Sequence, residues 1–144
     1  MNDRTFTIIK PNAVAAGASG RILDMMIRDG FRPVAWKLTF MSRDKAEKFY
    51  AVHRGRPFFE ELTDFMSSGP VFVGVLERED AVKALRALVG DTDPSKAAEG
   101  TIRRLYGESV GRNAVHASDS DENARAEWSL FFTDDEILTA GYRP

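Results

Sequence analysis

The stretch "VFVGVL", Val71 to Leu76, is six residues long without a polar side chain, between the chain breaker "SSGP" and the charged "ERED". An uninterrupted apolar run of this length, bounded by turn residues, predicts a buried strand at the centre of a sheet. Its neighbours in the sheet must come from other segments with the composition of strands.

Three further segments predict those neighbouring strands. "TFTII", Thr5 to Ile9, is rich in β-branched and aromatic residues. "VAWKLTFM" has apolar side chains at alternate positions, which predicts one strongly apolar face made of Val34, Trp36, Leu38 and Phe40. "NAVH", which ends at His116, is a candidate for a short edge strand.

Amphipathic segments between the strands predict helices. In "RILDMMIRDG" the predicted inward face contains Ile22, Leu23, Met26 and Ile27. The predicted start signals of the later helices are Ser42, Pro57, Ser118 or Ser120, and a capping box from Thr133 to Glu136.

The order of strands and helices predicts the fold class. We expect a two-layer α/β (α+β) sandwich with one four-stranded antiparallel sheet, and the ferredoxin-like βαββαβ arrangement matches this order best. The length of 144 residues fits one domain, so residues 1–144 are predicted to form a single unit.

Composition excludes several classes of protein. The formal net charge of −2 argues against a general nucleic-acid or membrane-surface protein, which would usually be basic. The absence of cysteine excludes disulfides and thiolate metal sites. No apolar run approaches the roughly 20 residues that span a bilayer. A soluble, cytoplasmic protein is expected.

His116 lies in an unusual setting, with apolar residues before it and "ASDS" behind it. On the helix that follows, Glu127 shares a face with Ala124, Trp128 and Phe131, where a carboxylate is costly unless it is paired. One hypothesis is that Glu127 orients the ring of His116 and leaves the second ring nitrogen as a nucleophile. The alternatives are a Glu127 that reaches solvent and a structural histidine.

No glycine cradle for phosphates exists in the sequence, because "GASG" at 17–20 lacks the lysine of a P-loop. Side chains would have to hold phosphates, and the irregular segment 91–115 is long enough to be functional. The cationic candidates are Lys10, Arg86, Arg103 and Arg112, each of which can equally be a solvated surface charge. In "RPFFEEL", one phenylalanine is either partly exposed by chance or offered to a planar ligand such as a nucleobase.

Taken together, these segments resemble the nucleoside diphosphate kinase family along nearly the whole chain. The resemblance implies a ferredoxin-like core and transfer of the γ-phosphoryl group of a nucleoside triphosphate to a nucleoside diphosphate. It further implies a ping-pong mechanism through a phosphohistidine, with Mg²⁺ held mainly by the nucleotide phosphates and not by protein side chains. The segments that carry it are "TFTIIKPNAV", "FYAVHRGRPFFEEL", "MSSGPVFVGVLERE", "VGDTDP", "EGTIR" and "GRNAVHASDS".

The resemblance also implies a role for each site residue. His116 is the nucleophile, Glu127 hydrogen-bonds its ring, and Ser118 supports Glu127. Lys10 and Asn113 match residues that hold the sugar hydroxyls and the phosphoryl end, and Tyr50 matches a hydroxyl near the transferred group. The remaining matches are residues that bind the phosphates, namely Arg86, Thr92 and Arg103, and Phe58, which stacks on the base with Leu62 and Val110 beside it.

Two positions depart from the family pattern. Ala117 stands where glycine is usual, which is tolerable only if the backbone there has a negative φ. Asn12 stands where aspartate is common, which removes a charge near Lys10.

The family forms homo-oligomers, tetramers or hexamers built from a common dimer, with dimers also known, and the tail Thr139 to Pro144 bears on this assembly. A nucleotide sensor that transfers no phosphate and a phosphohistidine relay to another protein remain as alternative functions.

Overall fold

The structure, a computed structural model, describes residues 3–138, so the tail on which the assembly expectation rests lies outside the described residues. Within this range the strands are β1 (Arg4–Ile9), β2 (Arg32–Phe40), β3 (Pro70–Glu77) and β4 (Val115–Ala117). No helix of the described range is long and apolar enough to cross a membrane. The helices are α1 (Pro11–Ala15), α2 (Ser19–Arg28), α3 (Arg43–Phe49), α4 (Phe59–Met66), α5 (Ala81–Val89), α6 (Ile102–Tyr106) and α7 (Asp121–Trp128), with 3₁₀ turns at Ala51–His53 and Asp134–Glu136.

The sheet has the strand order β2-β3-β1-β4, and every neighbouring pair is antiparallel. This confirms the predicted ferredoxin-like arrangement, with α2 and α5 as the connecting helices and α3 and α4 inserted between β2 and β3. The "VFVGVL" strand lies inside the sheet, and the predicted edge strand is the short β4.

Helices cover both faces of the sheet, so the prediction of two layers is wrong. Phe6 and Ile8 pack in a core with residues of α3, α4 and α7, whereas Ile9 packs on the opposite face with residues of α2 and α5. The central strand β3 is therefore buried on both sides, which is why it has no polar alternation.

The apolar face predicted for β2 is only partly buried. Val34 is buried, but Leu38 is 56% and Phe40 62% exposed. β2 is an edge strand, and a register shift between Pro33 and Ala35 breaks the simple alternation. On α2, Ile27 is likewise exposed, contrary to the prediction, and the partly buried Met25 packs toward the core instead.

The capping predictions are confirmed, while some helix limits differ. Ser42 accepts a hydrogen bond from the Lys45 amide and Ser120, not Ser118, caps α7. The Thr133–Glu136 capping box is present but opens a 3₁₀ turn. α4 begins at Phe59, two residues after Pro57, and the five-residue α1 was not predicted because it is too short to show a hydrophobic period.

Candidate active site

A cleft of about 1280 Å³ opens between the α3–α4 hairpin and the edge of the sheet that carries β4. It collects residues from all parts of the chain, including the irregular segment between α5 and β4. Among the residues proposed from the sequence, Ser118 alone does not line this cleft. Those that do are Lys10, Tyr50, Phe58, Leu62, Arg86, Thr92, Arg103, Val110, Asn113, His116 and Glu127.

His116 projects into the cleft from β4. It pairs with Ile8 of β1, so its side chain lies on the same sheet face as α3 and α7. The imidazole contacts the ring of Phe49 edge to face, with centroids 5.1 Å apart. Phe49 therefore restricts the orientation of the imidazole, a contact that the sequence did not indicate.

The hydrogen bond of the His116 ring determines which ring nitrogen carries the proton. Nε2 lies 2.8 Å from Oε1 of Glu127. An ionised carboxylate only accepts hydrogen bonds, so Nε2 carries the proton and Nδ1 keeps the lone pair. Both side chains are about 20% exposed, so the alternative of a Glu127 turned to solvent is wrong.

Ser118 lies behind this pair and is fully buried. Its hydroxyl donates to the same Oε1 of Glu127 that contacts His116. Oε1 of Glu127 thus accepts hydrogen bonds from His116 and Ser118, which lie two positions apart at the end of β4. This arrangement restrains Glu127 and, through it, the imidazole.

Lys10 and Asn113 form a second polar pair in the cleft. Lys10 is 7% exposed, and its ammonium nitrogen Nζ donates to Oδ1 of Asn113 at 2.8 Å. The Asn113 amide nitrogen donates in turn to the carbonyl of Thr92 at 3.1 Å. One amide thereby connects the end of β1 to the loop after α5.

A tight turn at Ala114 produces this geometry. Ala114 has φ 77°, and the Val115 amide donates to the Asn113 carbonyl at 3.0 Å, as in a γ-turn. The Lys10 amide donates to the Ala114 carbonyl at 2.8 Å, which holds the turn against β1. The strained residue lies two positions before His116, where surrounding contacts keep it in place.

Two arginines lie deeper along the same wall. Arg86 donates to the Ala117 carbonyl at 3.3 Å, and Arg103 donates to the carbonyls of Gly90 and Val115. Nε of Arg103 is buried without a hydrogen-bond partner in the described chain. These contacts orient the guanidinium groups beside the strand that carries His116.

Burial and neighbouring positive charge lower the pKa values of Lys10 and Arg103. Burial and the charge of Arg103 lower the pKa of Lys10 to about 7. Burial and the charge of Arg86 lower the pKa of Arg103 to about 10, against the opposing effect of Asp91. The cleft therefore holds uncompensated positive charge that an anion would relieve.

Tyr50 lies across from His116 at the end of α3. Its side chain is buried, and its hydroxyl has no hydrogen-bond partner within residues 3–138. Burial, followed by the charge of Glu127, raises the pKa of this hydroxyl. It is consequently a neutral hydrogen-bond donor available to a group that enters the cleft.

The mouth of the cleft is apolar. Phe58 is 46% and Val110 is 55% exposed, and Leu62 of α4 is partly buried and lines the cleft. His53, which the sequence did not indicate as a site residue, also lines the cleft. So does the cationic candidate Arg112, whose guanidinium lies 4.9 Å from the ring centre of Phe65.

Both departures from the family pattern have a structural explanation. Ala117 lies in β4 and is not among the described residues with positive φ, so its methyl group is tolerated. The Asn12 amide nitrogen donates to the carbonyl of Arg112 at 3.2 Å, a bond that an ionised aspartate cannot make.

Comparison with known proteins points to one family. A family model for nucleoside diphosphate kinase matches residues 3–137. The nucleoside diphosphate kinase of Phenylobacterium zucineum (strain HLK1) is 54% identical over 138 residues, covering 96% of this chain and 99% of the relative. The corresponding protein of Erythrobacter litoralis (strain HTCC2594) is 56% identical over 135 residues, covering 94% and 96%.

Solved structures are similar over the same range. The Aquifex aeolicus nucleoside diphosphate kinase superposes with a TM-score of 0.92 at 48% identity, covering 94% of this chain and 99% of the other. The Halobacterium salinarum nucleoside diphosphate kinase, solved in complex with CDP, has a TM-score of 0.93 at 38% identity, covering 99% and 95%. The chain therefore belongs to the nucleoside diphosphate kinase family.

Proposed function

We propose that the chain transfers the γ-phosphoryl group of a nucleoside triphosphate to a nucleoside diphosphate through a covalent phosphohistidine at Nδ1 of His116. Its family membership establishes that it is an enzyme, a phosphotransferase acting between nucleotides. The observation that carries the proposed mechanism is the 2.8 Å contact between Nε2 of His116 and Glu127, which leaves Nδ1 as the nucleophile.

In the first half-reaction the Nδ1 lone pair attacks the γ-phosphorus. A nitrogen–phosphorus bond forms, the bond from phosphorus to the β–γ bridging oxygen breaks, and the nucleoside diphosphate leaves with that electron pair. The Nε2 proton stays on the ring, where Glu127 stabilises the positive charge that the ring acquires.

In the second half-reaction a terminal phosphate oxygen of another nucleoside diphosphate attacks the phosphorus. The nitrogen–phosphorus bond breaks and its electron pair returns to Nδ1, which restores the free enzyme. Donor and acceptor use the same cleft in turn, so the kinetics are ping-pong.

The positive wall of the cleft supports the phosphate-binding role. The positive charges near the transferred group belong to Arg86, Arg103 and Lys10. Neutral polar atoms beside it belong to Thr92 and Asn113. Phosphoryl transfer depends mainly on positioning and charge stabilisation, which this set supplies. Tyr50 donates its unpaired hydroxyl to the transferring group or to the adjacent sugar.

The nucleobase is proposed to stack on Phe58 at the mouth of the cleft, with Leu62 and Val110 beside it. This assignment is supported by the exposure of the Phe58 ring on the lining of the cleft that contains His116. Stacking does not depend on the hydrogen-bonding groups of the base, so several bases would be accepted.

Mg²⁺ is proposed to enter with the nucleotide. Within residues 3–138 no group of three histidine or carboxylate side chains is close enough to hold a metal ion, so the donor set fits an ion held mainly by phosphate oxygens. Bound there, Mg²⁺ would neutralise phosphate charge and orient the chain of phosphates.

We further propose a homo-oligomer, a tetramer or hexamer built from dimers, with a dimer as the smaller alternative, and a cytoplasmic location. The assembly is supported by the apolar surface on the edge strand β2, where Leu38 and Phe40 are exposed beside the half-buried Trp36. Light scattering of the purified protein determines the number of subunits.

Incubation with γ-labelled ATP, followed by unlabelled nucleoside diphosphates, tests the proposed reaction. We expect label on the protein that then moves to each diphosphate, and neither step in His116→Ala. Protein that takes up no label would be a sensor, and label that only a second protein removes would indicate a relay. Substantial turnover by His116→Ala would assign the nucleophile to another residue.

A further inference from the structure

The second histidine, His53, lies between two rings of the cleft. Its imidazole is 6.4 Å from the ring centre of Tyr50 with nearly parallel planes, at 26°. On the other side it is 5.2 Å from the ring centre of Phe58 at 60°, an edge-to-face contact. His53 thereby joins the deep part of the cleft to its mouth.

The backbone holds these three rings in a fixed order. Three backbone hydrogen bonds close successive turns. The His53 amide donates to the Tyr50 carbonyl at 2.8 Å, the Arg56 amide to the His53 carbonyl at 3.0 Å, and the Phe59 amide to the Arg56 carbonyl at 3.1 Å. Gly55 has φ 83°, the left-handed region that the chain needs to turn from His53 back toward Phe58. The turn therefore fixes the backbone positions from which the three rings project.

Phe58 benefits from such support because nearly half of its surface is exposed. It is 46% exposed and lies at the residue that precedes the first turn of α4. An exposed ring with free rotation about its side-chain bonds must lose that freedom when a ligand stacks on it, which weakens binding. A neighbouring ring that packs edge to face restricts the phenyl group before the ligand arrives.

We propose that His53 is a positioning residue that holds the Phe58 ring in the orientation in which it stacks on the nucleobase. His53 contributes through Phe58 and not through the transferred phosphoryl group. The inference rests on the proposed function, since it deepens the role assigned there to Phe58. It predicts that loss of His53 weakens every nucleotide alike and leaves the chemical step intact.

The test is a double-mutant cycle of His53→Ala and Phe58→Ala in the full-length protein, with His53→Phe as the ring-retaining control. We expect His53→Ala to raise the KM for ADP, GDP and CDP by a common factor of about 2–10, the range of one aromatic pair. The kcat should stay within about twofold, and His53→Phe should restore the KM. In the Phe58→Ala background, His53→Ala should have almost no further effect.

Three results would overturn the proposal: an unchanged KM in His53→Ala, an equal effect with and without Phe58, or a fall in kcat at unchanged KM. A thermal melt of each variant separates unfolding from loss of binding. If Phe58→Ala alone leaves nucleotide binding intact, the stacking role in the proposed function fails. If Phe58→Ala weakens binding and His53→Ala does not, the role of His53 alone fails.

Discussion

Oε1 of Glu127 lies 2.8 Å from Nε2 of His116, although the two residues are eleven positions apart and belong to different elements, α7 and β4. The contact places a charged group on the otherwise apolar face of α7, beside the buried Ala124 and Phe131. A carboxylate in such a place is compatible with a stable fold because the imidazole and the Ser118 hydroxyl both donate to it.

Glu127→Gln should slow phosphorylation of His116 by about one to four orders of magnitude, with little change in nucleotide affinity. The amide keeps the volume and an acceptor for Nε2, but it no longer stabilises the charge of the phosphorylated ring. Single-turnover formation of phosphohistidine measures this rate. Glu122→Gln, an exposed position on the same helix, is the matched control and should react like the original protein. An unchanged rate in Glu127→Gln would make that residue purely structural.

Phe58→Ala should weaken adenine, guanine and pyrimidine nucleotides by a similar factor. Loss of a base stack costs roughly 1–3 kcal/mol and does not depend strongly on the base. Equilibrium binding of the diphosphates to the variant and the original protein gives the three ratios. A large loss confined to one base would indicate recognition by hydrogen bonds instead.

Nucleotide affinity should fall as the pH rises above neutrality. The pKa of Lys10 is lowered to about 7 by burial and by the charge of Arg103, so the free protein at pH 8 holds mostly neutral Lys10. Phosphate attracts the ammonium form, and binding must therefore take up a proton. Calorimetry should show the Kd of ADP rising by up to about tenfold per pH unit between pH 7.5 and 9. Lys10→Met should bind more weakly and lack this slope; a slope that persists there belongs to another group.

The same pKa has the opposite effect on the stability of the unliganded protein. In the unfolded chain a lysine keeps its proton up to about pH 10.4. Folding therefore releases a proton between about pH 7 and pH 10, and the free energy of unfolding should rise with pH in that window. The stability gained from the neutral form of Lys10 is lost as the pH falls through 7. Urea unfolding at pH 7 and 9 measures the free energy of unfolding of the original protein and of Lys10→Met. The rise with pH should be larger in the original protein, and this difference between the two proteins should vanish if Lys10 is not buried.

Gly74→Ala should destabilise the fold without changing the chemistry. A Cβ at Gly74 would lie 2.2 Å from Cε3 of Trp36, whose indole stacks on Phe72 at 5.9 Å. Displacing the indole should cost about 1–3 kcal/mol. Gly20→Ala is the contrasting control, because nothing lies within 4 Å of its new Cβ on α2, and it should stabilise by about 0.5–1 kcal/mol. Equal stability of the two variants would contradict the close packing of Trp36 on Gly74.

The sequence by itself determined the strands and most helix starts, and it predicted eleven residues that the structure brings together in the cleft. Each of these is encoded locally: "VFVGVL" is apolar at consecutive positions, Ser42 and Ser120 precede their helices, and "GRNAVHASDS" keeps the family pattern except at Ala117. Local signals failed where the outcome depends on what covers a residue. Leu38 and Phe40 alternate like core residues, yet they are exposed because β2 is an edge strand.

Only the tertiary structure decided which nitrogen of His116 keeps its lone pair and how the cleft is charged. The choice of Nδ1 follows from the side of the ring that Glu127 reaches, which depends on how α7 packs on β1. The lowered pKa of Lys10 depends on burial and on Arg103, which is far away in the sequence. His53 had no visible role in the sequence because its neighbours Tyr50 and Phe58 meet it only after the chain has turned twice. Distances, burial and ring orientation are properties of the folded chain, and no residue pattern specifies them in advance.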